Sequence, residues 1–368
     1  MTSPDEACAQ LDAGTPVCDA GSCVECTQLR PEACDGVTPV CGQDNGCTAC
    51  TEHDQCAGTA CHLDGELRGA CFEASEVVMV ANNAELAAAI ATIGNDSGVI
   101  VLEGATGYNQ TVNIAGNVEI AFVGPLTAVL SGTAGLPSLN VGGDAIVYLA
   151  GPSVANGDAD GLSCSGTSVW LDDSEVRNNA DLGMDVSGGC AAHLRRTVIS
   201  TNTGGGLSIS GGELTTRNVV IGRNGDNLSS TVGGVRLDGT IAEIVYSVIV
   251  GNEATNAARG SLFCVGGENG SIRNSIITGG GNSISGCDTV TFETNAVDEP
   301  ALAGSNLDVG PVMAEWFLNL GANDYHLTPA GEAALMDIAM WQPGDPTADI
   351  DGDPIPTDLP SFPGYDQP

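Results

Sequence analysis

The chain has 368 residues, of which 47 are acidic and 10 basic, giving a formal net charge of −37. Every basic residue is an arginine. This balance argues against nucleic acid or an anionic membrane surface as a partner, because phosphate recognition depends on clustered Lys and Arg. Hydrophobic residues make up 42% of the chain, too many for a disordered acidic protein, and no apolar run reaches the ~18 residues that span a bilayer.

Residues 1–74 are predicted to form a small disulfide-rich domain. Eleven of the 15 cysteines fall in this segment, and such a density is typical of disulfide scaffolds in an oxidising compartment. They form an internal repeat of two sets of four and one set of three: Cys8, Cys18, Cys23, Cys26; Cys34, Cys41, Cys47, Cys50; and Cys56, Cys61, Cys71. We therefore expect the odd cysteine in the third set.

Zinc is the alternative for these cysteines. Cys23-x-x-Cys26 and Cys47-x-x-Cys50 have zinc-ribbon spacing, but the repeat and the additional cysteines favour disulfides. We expect His53 and His62 to be solvated loop residues. No leader peptide follows Met1, so we expect an extracellular or outer-surface protein whose export signal was removed or lies upstream.

Residues 75–310 are predicted to form a parallel β-solenoid. A strand at 77–80 leads into a helix over 84–93 with Asn82 or Asn83 as its cap, and a second strand follows at 99–102. Beyond this point two short strands recur every 22–28 residues, which is the repeat length of stacked β-coils. The period lengthens where 226–231 forms an inserted loop. Asparagines end the second strand of each repeat, and we expect them to occupy turns or to stack as an amide ladder.

Four cysteines follow the first domain at one-coil separations. Cys164 and Cys190 are 26 residues apart, and Cys264 and Cys287 are 23 apart. Since stacked coils bring Cα atoms to about 5 Å, within disulfide range, we predict both pairs to be bridges between coils. The alternative is two pairs of buried thiols.

Residues 311–368 are predicted to be a cap and a Pro/Asp-rich tail that folds back on the last coil. Asp349, Asp351 and Asp353 place oxygen ligands at alternate positions, as a Ca²⁺ loop would. The glycine stands at the fourth position and no Glu follows at the twelfth, so a structural capping turn is the alternative to calcium.

The chain resembles the right-handed parallel β-helix proteins of the pectin-lyase-like superfamily, on its capping helix and first coil. Its tail resembles bacterial surface β-helix proteins of the choice-of-anchor type, through Tyr325-His326-Leu327, then Asp349-Ile350-Asp351-Gly352-Asp353-Pro354, then Gly364-Tyr365-Asp366. The cysteine-rich head resembles repeats in secreted proteins of deltaproteobacteria such as myxobacteria. These resemblances imply an all-β fold and a surface location.

The resemblance also suggests where an active site would lie. In a pectate-lyase-like site carboxylates hold Ca²⁺ and an Arg or Lys acts as base. Here the pair Arg195-Arg196 could supply the base, with Arg195 as the catalytic candidate. Asp172, Asp173, Asp181 and Asp185 are candidate ligands, with His193 alongside. The alternative is that these residues are the solvent-facing surface of an acidic coil.

We therefore expect a secreted or cell-surface β-helix protein with a structural, adhesive or glycan-binding role, and we expect it to be a monomer. Trp170 or Tyr246, if exposed, could stack on neutral sugars. The alternative function is a polysaccharide lyase or glycoside hydrolase. A third interpretation is that the acidity is an adaptation to salty water, because Asp-rich, lysine-free surfaces stay soluble at high ionic strength.

Overall fold

A computed structural model describes residues 17–19, 22–27, 29, 33–93, 96–104, 107–279, 283–302, 304–311 and 314–367, with the backbone alone of Cys18. The chain divides into two compact units, residues 1–79 with 96–101 and residues 80–95 with 102–368. None of the described helices is long and apolar enough to cross a bilayer.

The first unit contains short hairpins held by disulfides. One hairpin pairs Val17–Asp19 with Ser22–Val24, and a second pairs Val40–Cys41 with Cys47–Thr48. Two 3₁₀ turns follow at His53–Gln55 and Ala74–Glu76. Four disulfides connect these elements: Cys26–Cys41, Cys34–Cys47, Cys50–Cys61 and Cys56–Cys71. The sulfur atoms of the predicted zinc knuckle at Cys47 and Cys50 are therefore bonded to other sulfurs and are not free thiolates.

The expected place of the odd cysteine is wrong. All three cysteines of the third set are paired, because Cys61 bonds to Cys50 of the second set while Cys56 bonds to Cys71. The fourth cysteine of one set bonds to the second cysteine of the next. The second and third sets are therefore fully paired, with the help of one cysteine of the first set. The three other cysteines of the first set are an odd number, so the odd cysteine belongs to that set. In that set Cys23 is disulfide-bonded, and Cys8 lies outside the described residues.

The two histidines of this unit are not solvated, contrary to expectation. His53 is 5% exposed and His62 is 2% exposed. The Nδ1 atom of His53 accepts a hydrogen bond from the backbone N–H of Cys61 at 3.2 Å. His62 stacks on Phe72 with ring centroids 3.7 Å apart. Because the segment has few large apolar residues, these rings help to fill the small core between the disulfides.

The second unit is a parallel β-solenoid of about nine coils, as predicted. It is preceded by the strands Val77–Val80 and Gly98–Leu102 and by helix α1, Asn83–Ile93. Asn82 is the cap of α1, since its Oδ1 accepts hydrogen bonds from the backbone N–H groups of Ala84 and Glu85. Leu86 and Ile93 are buried on one face of the helix.

A coil passes through three parallel sheets in the order sheet 1, sheet 2, sheet 3. Coils are numbered by their strand in sheet 2, with Gly107–Asn109 in coil 1. The strands of sheet 1 that lie wholly within the second unit are Glu119–Val123, Ile146–Ala150, Ser168–Asp172, Ala191–Arg195, Glu213–Arg217, Ile241–Val245, Asn269–Arg273 and Val290–Glu293. Sheet 2 contains Gly107–Asn109, Val129–Ser131, Ser153–Ala155, Glu175–Arg177, Val198–Ser200, Val220–Gly222, Val248–Val250, Ile276–Thr278, Ala296–Val297 and Leu307–Asp308. Sheet 3 contains Val112–Ala115, Leu139–Gly142, Leu162–Cys164, Leu182–Val186, Gly205–Ser210, Val235–Asp238, Leu262–Cys264 and Ile284–Ser285.

The interior is made of stacked aliphatic columns. From Val129–Ser131 onward, the central residue of each three-residue strand in sheet 2 points inward, and its register partner in the next coil lies directly over it: Leu130, Val154, Val176, Ile199, Ile221, Ile249 and Ile277. All seven are buried. One coil cannot cover this column alone, so each coil depends on its neighbours for burial.

An asparagine ladder runs along the turn after sheet 2. The Nδ2 of Asn179 donates to Oδ1 of Asn202 at 2.9 Å, Asn202 donates in turn to Asn224 at 3.0 Å, and Asn224 to Asn252 at 3.0 Å. The backbone N–H of each of the first three also donates to the next Oδ1. The predicted amide ladder is therefore present, and it satisfies buried polar atoms in successive turns.

Two disulfides connect adjacent coils. Cys164 is bonded to Cys190 and Cys264 to Cys287, with Cα atoms 6.1 Å and 4.9 Å apart. In both cases one cysteine ends a strand of sheet 3 and the other lies in the next coil, where the chain turns from sheet 3 toward sheet 1. Each bridge is thus a covalent link along the axis of the solenoid.

The tail contains an antiparallel pair, Phe317–Asn319 with Asp324–Leu327, and helix α2, Pro329–Leu335. Short 3₁₀ turns lie in the tail at Ala314–Trp316 and Leu320–Ala322, and earlier in the chain at Ala257–Arg259 and Pro300–Leu302. Aromatic residues of the tail pack against the outer face of sheet 2 at Val220, Val248, Val250, Ile276 and Ala296. The predicted fold-back onto the last coil is therefore incorrect in position, because the tail lies along the side of coils 6 to 9.

The reason is visible in the outward positions of sheet 2. These positions are polar in coil 4, at Glu175 and Arg177, but apolar in coil 7, at Val248 and Val250. The glycine at position 222 leaves space for the phenol of Tyr325, since a Cβ at that position would lie 2.1 Å from Tyr325 Oη. Tyr325 is fully buried as a result.

Candidate functional site

The predicted catalytic residues lie together at the turn from sheet 1 to sheet 2. Asp172 ends a strand of sheet 1, and its register partner in the next coil is Arg195. The following residues, Asp173 and Arg196, both adopt left-handed backbone conformations with φ of 50° and 45°. The same turn recurs in later coils. One coil of separation therefore aligns the two aspartates with the two arginines.

These four side chains form a closed ion-pair network. Asp172 is 5% exposed, and its Oδ1 receives Arg195 Nε at 2.9 Å and Arg196 Nη2 at 2.8 Å. Its Oδ2 pairs with Arg195 Nη2. Arg196 also holds Asp173 through two hydrogen bonds of 2.8 and 2.9 Å. Paired charges offset the cost of burying Asp172, and the carboxylates that calcium would need are engaged by the two arginines.

The other predicted calcium ligands lie on a different face. Asp181 and Asp185 belong to the sheet 3 side of coil 4, where Asp160 Oδ1 accepts a hydrogen bond from Leu182 N–H at 3.0 Å. Burial and, secondarily, the charge of Asp181 raise the pKa of Asp160 to about 6. Burial also raises the pKa of Asp185, against the opposing effect of Arg236. The set of four aspartates suggested by the sequence is therefore not assembled.

Aromatic rings line the outer face of sheet 1 beside this network. Tyr148, Trp170 and His193 occupy the same strand position in coils that are hydrogen-bonded in register. Trp170 stacks on His193 with centroids 3.9 Å apart, and both are half-buried. The indole Nε1 of Trp170 is buried and has no hydrogen-bond partner. Tyr246, by contrast, is fully buried and contacts Ser361 of the tail, so the suggestion that it is exposed to sugars is wrong.

The sequence reasoning missed a row of arginines that extends the network. Arg195 and Arg217 are register partners on sheet 1, and Arg273 occupies the same position two coils farther on. Arg217 contacts Glu243 at 3.3 Å, and Arg273 makes an ion pair with Asp345 of the tail. Aligning the repeats on sheet 1 would have revealed the row, because the same strand position contains arginine in three coils.

In the candidate calcium loop of the tail, the carboxylate of Asp349 accepts hydrogen bonds that hold a turn. Asp349 is 1% exposed. Its Oδ1 accepts the backbone N–H groups of Asp351 and Asp353 at 2.9 Å each, and its Oδ2 accepts that of Gln367 at 2.9 Å. Both oxygens of Asp349 thus hold the turn together. Asp353 is exposed, and Asp351 is turned toward His326.

Comparisons with known proteins add little to this geometry. A family model described as a family of unknown function (DUF8331) matches residues 2–77. No curated protein matches the chain. Among solved structures, a crystal structure of the pectate lyase Pel9A is similar at a TM-score of 0.43 and 14% sequence identity, over 76% of this chain and 90% of that chain. The fold assignment rests on the strand register described above.

Proposed function

We propose that this chain is a secreted or cell-surface β-solenoid protein with a structural and adhesive role, and that its ligands are neutral glycans. The observation that carries the proposal is the closed network of Asp172, Arg195 and Arg196. A general base or a calcium ligand must have a lone pair available. Here every one of these charged groups is held by an opposite charge, which favours a stabilising role over a catalytic one.

The disulfides support the proposed location. Cys23 is disulfide-bonded, and six further bridges have both cysteines in the described part of the chain, four in the head and two between coils of the solenoid. Cytosolic thiol systems keep cysteines reduced, whereas secreted and surface proteins retain such bonds. A protein with disulfides both within its head and between the coils of its solenoid is suited to be a durable extracellular element.

The charge distribution supports the ligand class. On the outer face of sheet 1 and its following turn, four arginines form ion pairs with acidic residues, one of which, Asp345, belongs to the tail: Arg195, Arg196, Arg217, Arg273 and Asp172, Asp173, Glu243, Asp345. Glu119, Glu213 and Glu293 add negative charge to the same sheet. The rest of the chain is strongly acidic, so an approaching polyuronate is repelled. A neutral glycan meets no such barrier and can contact the half-exposed strip of Trp170, His193 and Thr215.

The test measures binding and cleavage with the same oxidised protein. Affinity electrophoresis in gels containing neutral polysaccharides should retard the protein, and His193→Ala should lose most of the retardation. Phe263→Ala is the matched control, because Phe263 is a half-buried ring on sheet 3 in contact with Arg259. In parallel, polyuronates and neutral polysaccharides are incubated with the protein, with and without Ca²⁺, and assayed for new reducing ends and unsaturated products.

We expect no cleavage. Cleavage that Asp172→Asn abolishes and Asp238→Asn preserves would overturn the proposal in favour of a lyase or hydrolase. Asp238 is a suitable control because it also pairs with an arginine, Arg236, but on sheet 3. Equal retardation by His193→Ala and the wild type would reject sheet 1 as the binding face.

A further inference from the structure

Three distant segments of the tail converge on His326. The strand Asp324–Leu327, the turn 349–353 and the segment 364–367 are joined by hydrogen bonds from Ile350 N–H to the carbonyl of Tyr365 and from Leu327 N–H to Asp366 Oδ2. One imidazole nitrogen of His326 and one carboxylate oxygen each from Asp351 and Asp366 all lie within 4.8 Å of one another. The sequence motifs of the tail therefore come together as one cluster.

His326 stands between two carboxylates. Its Nδ1 is 2.6 Å from Asp324 Oδ1, and its Nε2 is 2.8 Å from Asp351 Oδ2. Ionised carboxylates only accept hydrogen bonds, so Nδ1 carries a hydrogen for Asp324. In the neutral imidazole, Nε2 then presents a lone pair toward the oxygen of Asp351. This contact is favourable only when a positive charge is bound there, either a proton or a metal ion.

Asp366 distinguishes these two possibilities. It is 7% exposed, and its one described hydrogen bond, from Leu327 N–H, is received by Oδ2, which leaves Oδ1 available. A doubly protonated imidazole has two N–H groups, and Asp324 and Asp351 would occupy both. The Oδ1 of Asp366 would then have no N–H group of His326 to accept from, whereas a metal ion bound at Nε2 would lie within reach of a carboxylate oxygen of Asp366.

We propose that His326, Asp351 and Asp366 bind a divalent transition-metal ion, with zinc as the probe of this class. Asp324 is the positioning residue, since a carboxylate on Nδ1 fixes the tautomer and directs Nε2 at the ion, as in carboxylate–histidine–zinc arrangements. The ion would be bound by one nitrogen and two carboxylate oxygens and would hold together the three segments of the tail.

The donor set favours zinc over calcium. Calcium takes six to eight oxygen ligands, whereas imidazole with carboxylates suits transition metals. Zinc lies about 2.0–2.2 Å from such ligands, so atoms within 4.8 Å of one another need only small side-chain rotations. Asp351 has that freedom, because its side chain is 54% exposed. This site differs from a calcium loop in that it uses Asp351 without Asp349 or Asp353.

The test is calorimetry with Zn²⁺ on the metal-stripped full chain, together with the visible absorption of bound Co²⁺. We expect one site, an upward shift of the melting temperature with zinc, and Co²⁺ bands that His326→Gln removes. Asp351→Asn should weaken zinc binding by roughly 100-fold and Asp324→Asn by roughly 10-fold. Asp353→Asn is the matched control, an exposed carboxylate two residues from Asp351, and should bind as the wild type does.

Asp351→Asn makes the test independent of misfolding, because this exposed residue can change without loss of the core. Zinc binding that Asp351→Asn and Asp353→Asn weaken equally would indicate diffuse surface charge and would overturn the proposal. Absence of the tight site would overturn it as well, and a wild-type melting temperature that responds to pH but not to zinc would assign the cluster to a protonated His326.

Discussion

The head and the solenoid are both built from repeats, but they are stabilised in different ways. In the head the buried residues are chiefly cysteines and a few rings such as Phe72 and His62. In the solenoid, each coil adds aliphatic residues to interior columns, and four successive coils each add an asparagine to the ladder. A repeat that can bury a flat face against its neighbour gains stability from stacking, whereas one with little apolar surface depends on covalent crosslinks.

The largest expected effect is the selective unfolding of the disulfide-rich head when its disulfides are reduced. The four head disulfides close loops with sequence separations of 11 to 15 residues, and each such bond contributes about 3 kcal/mol. Hydrogen exchange in dithiothreitol should therefore show full exchange of amides in 33–74, while the amides of coils 4 to 7 stay protected. Retained protection in the reduced head would show that its packing suffices without sulfur.

The ladder provides the next largest effect. Asn202 is fully buried, and its Oδ1 accepts both the backbone N–H and the Nδ2 of Asn179. Asn202→Ala leaves these donors unpaired, which should lower the free energy of unfolding by about 3 kcal/mol. Urea denaturation of the variant and of the wild type measures this decrease in the free energy of unfolding. Asn140→Ala, which removes an exposed pair with Asn113, is the control and should change stability by less than about 0.5 kcal/mol; equal effects would mean that the ladder is not stabilising.

The contact between tail and sheet 2 can be broken at one glycine. Gly222→Ala puts a Cβ 2.1 Å from Tyr325 Oη and 2.6 Å from Cζ, and overpacking of this kind costs about 1–3 kcal/mol. We expect faster proteolysis within 314–367, measured by mass spectrometry of timed digests. In Gly142→Ala, the new Cβ would meet Ser165 Oγ at 3.8 Å, so digestion should be unchanged. A protected tail in Gly222→Ala would contradict the observed packing.

The smallest effect concerns Asp160 on sheet 3. Its folded pKa of about 6 lies above the value of about 3.9 expected in the unfolded chain. The folded state therefore holds the proton more tightly, and stability falls as pH rises from about 4 to 6. Since the side chain is half-exposed, we expect a loss of only about 1 kcal/mol.

The variant Asp160→Asn removes this penalty and keeps an oxygen for Leu182 N–H. Its melting temperature should exceed that of the wild type at pH 8 and equal it at pH 3.5. Asp158→Asn, at an exposed neighbour, controls for the loss of one negative charge. A gain that persists at pH 3.5 would rule out the titration of Asp160 as the cause.

The two repeat markers predicted the solenoid because burial imposes the same strand pattern on every coil. Residues such as Ile199 and Ile221 repeat at the spacing of the register. The ladder and the bridge positions follow from that same spacing. The strands of sheet 1 were harder to see, since sequences such as Ala191–Arg195 and Glu213–Arg217 alternate with different polar residues.

The candidate site was only partly predictable. Asp172, Asp173 and Arg195 were expected together, and the register does unite them, but it also pairs the acids with the arginines. Asp181 and Asp185 are close to them in sequence yet lie on another face, because the sheet 2 strand Glu175–Arg177 separates the two sets and the chain has turned toward sheet 3 by Asp181. Closeness in sequence does not determine on which face of a solenoid a side chain lies.

By itself the sequence determined the disulfide-rich head, the repeat length and the stacking of coils, because these depend on local patterns repeated along the chain. Tertiary structure alone decided which cysteines pair across sets, where the tail lies and which groups surround His326. Those outcomes depend on contacts between segments far apart in sequence, such as Tyr325 against Gly222 and Asp351 against His326. No local periodicity records such contacts, since each is fixed by shape and charge only after the coils have stacked.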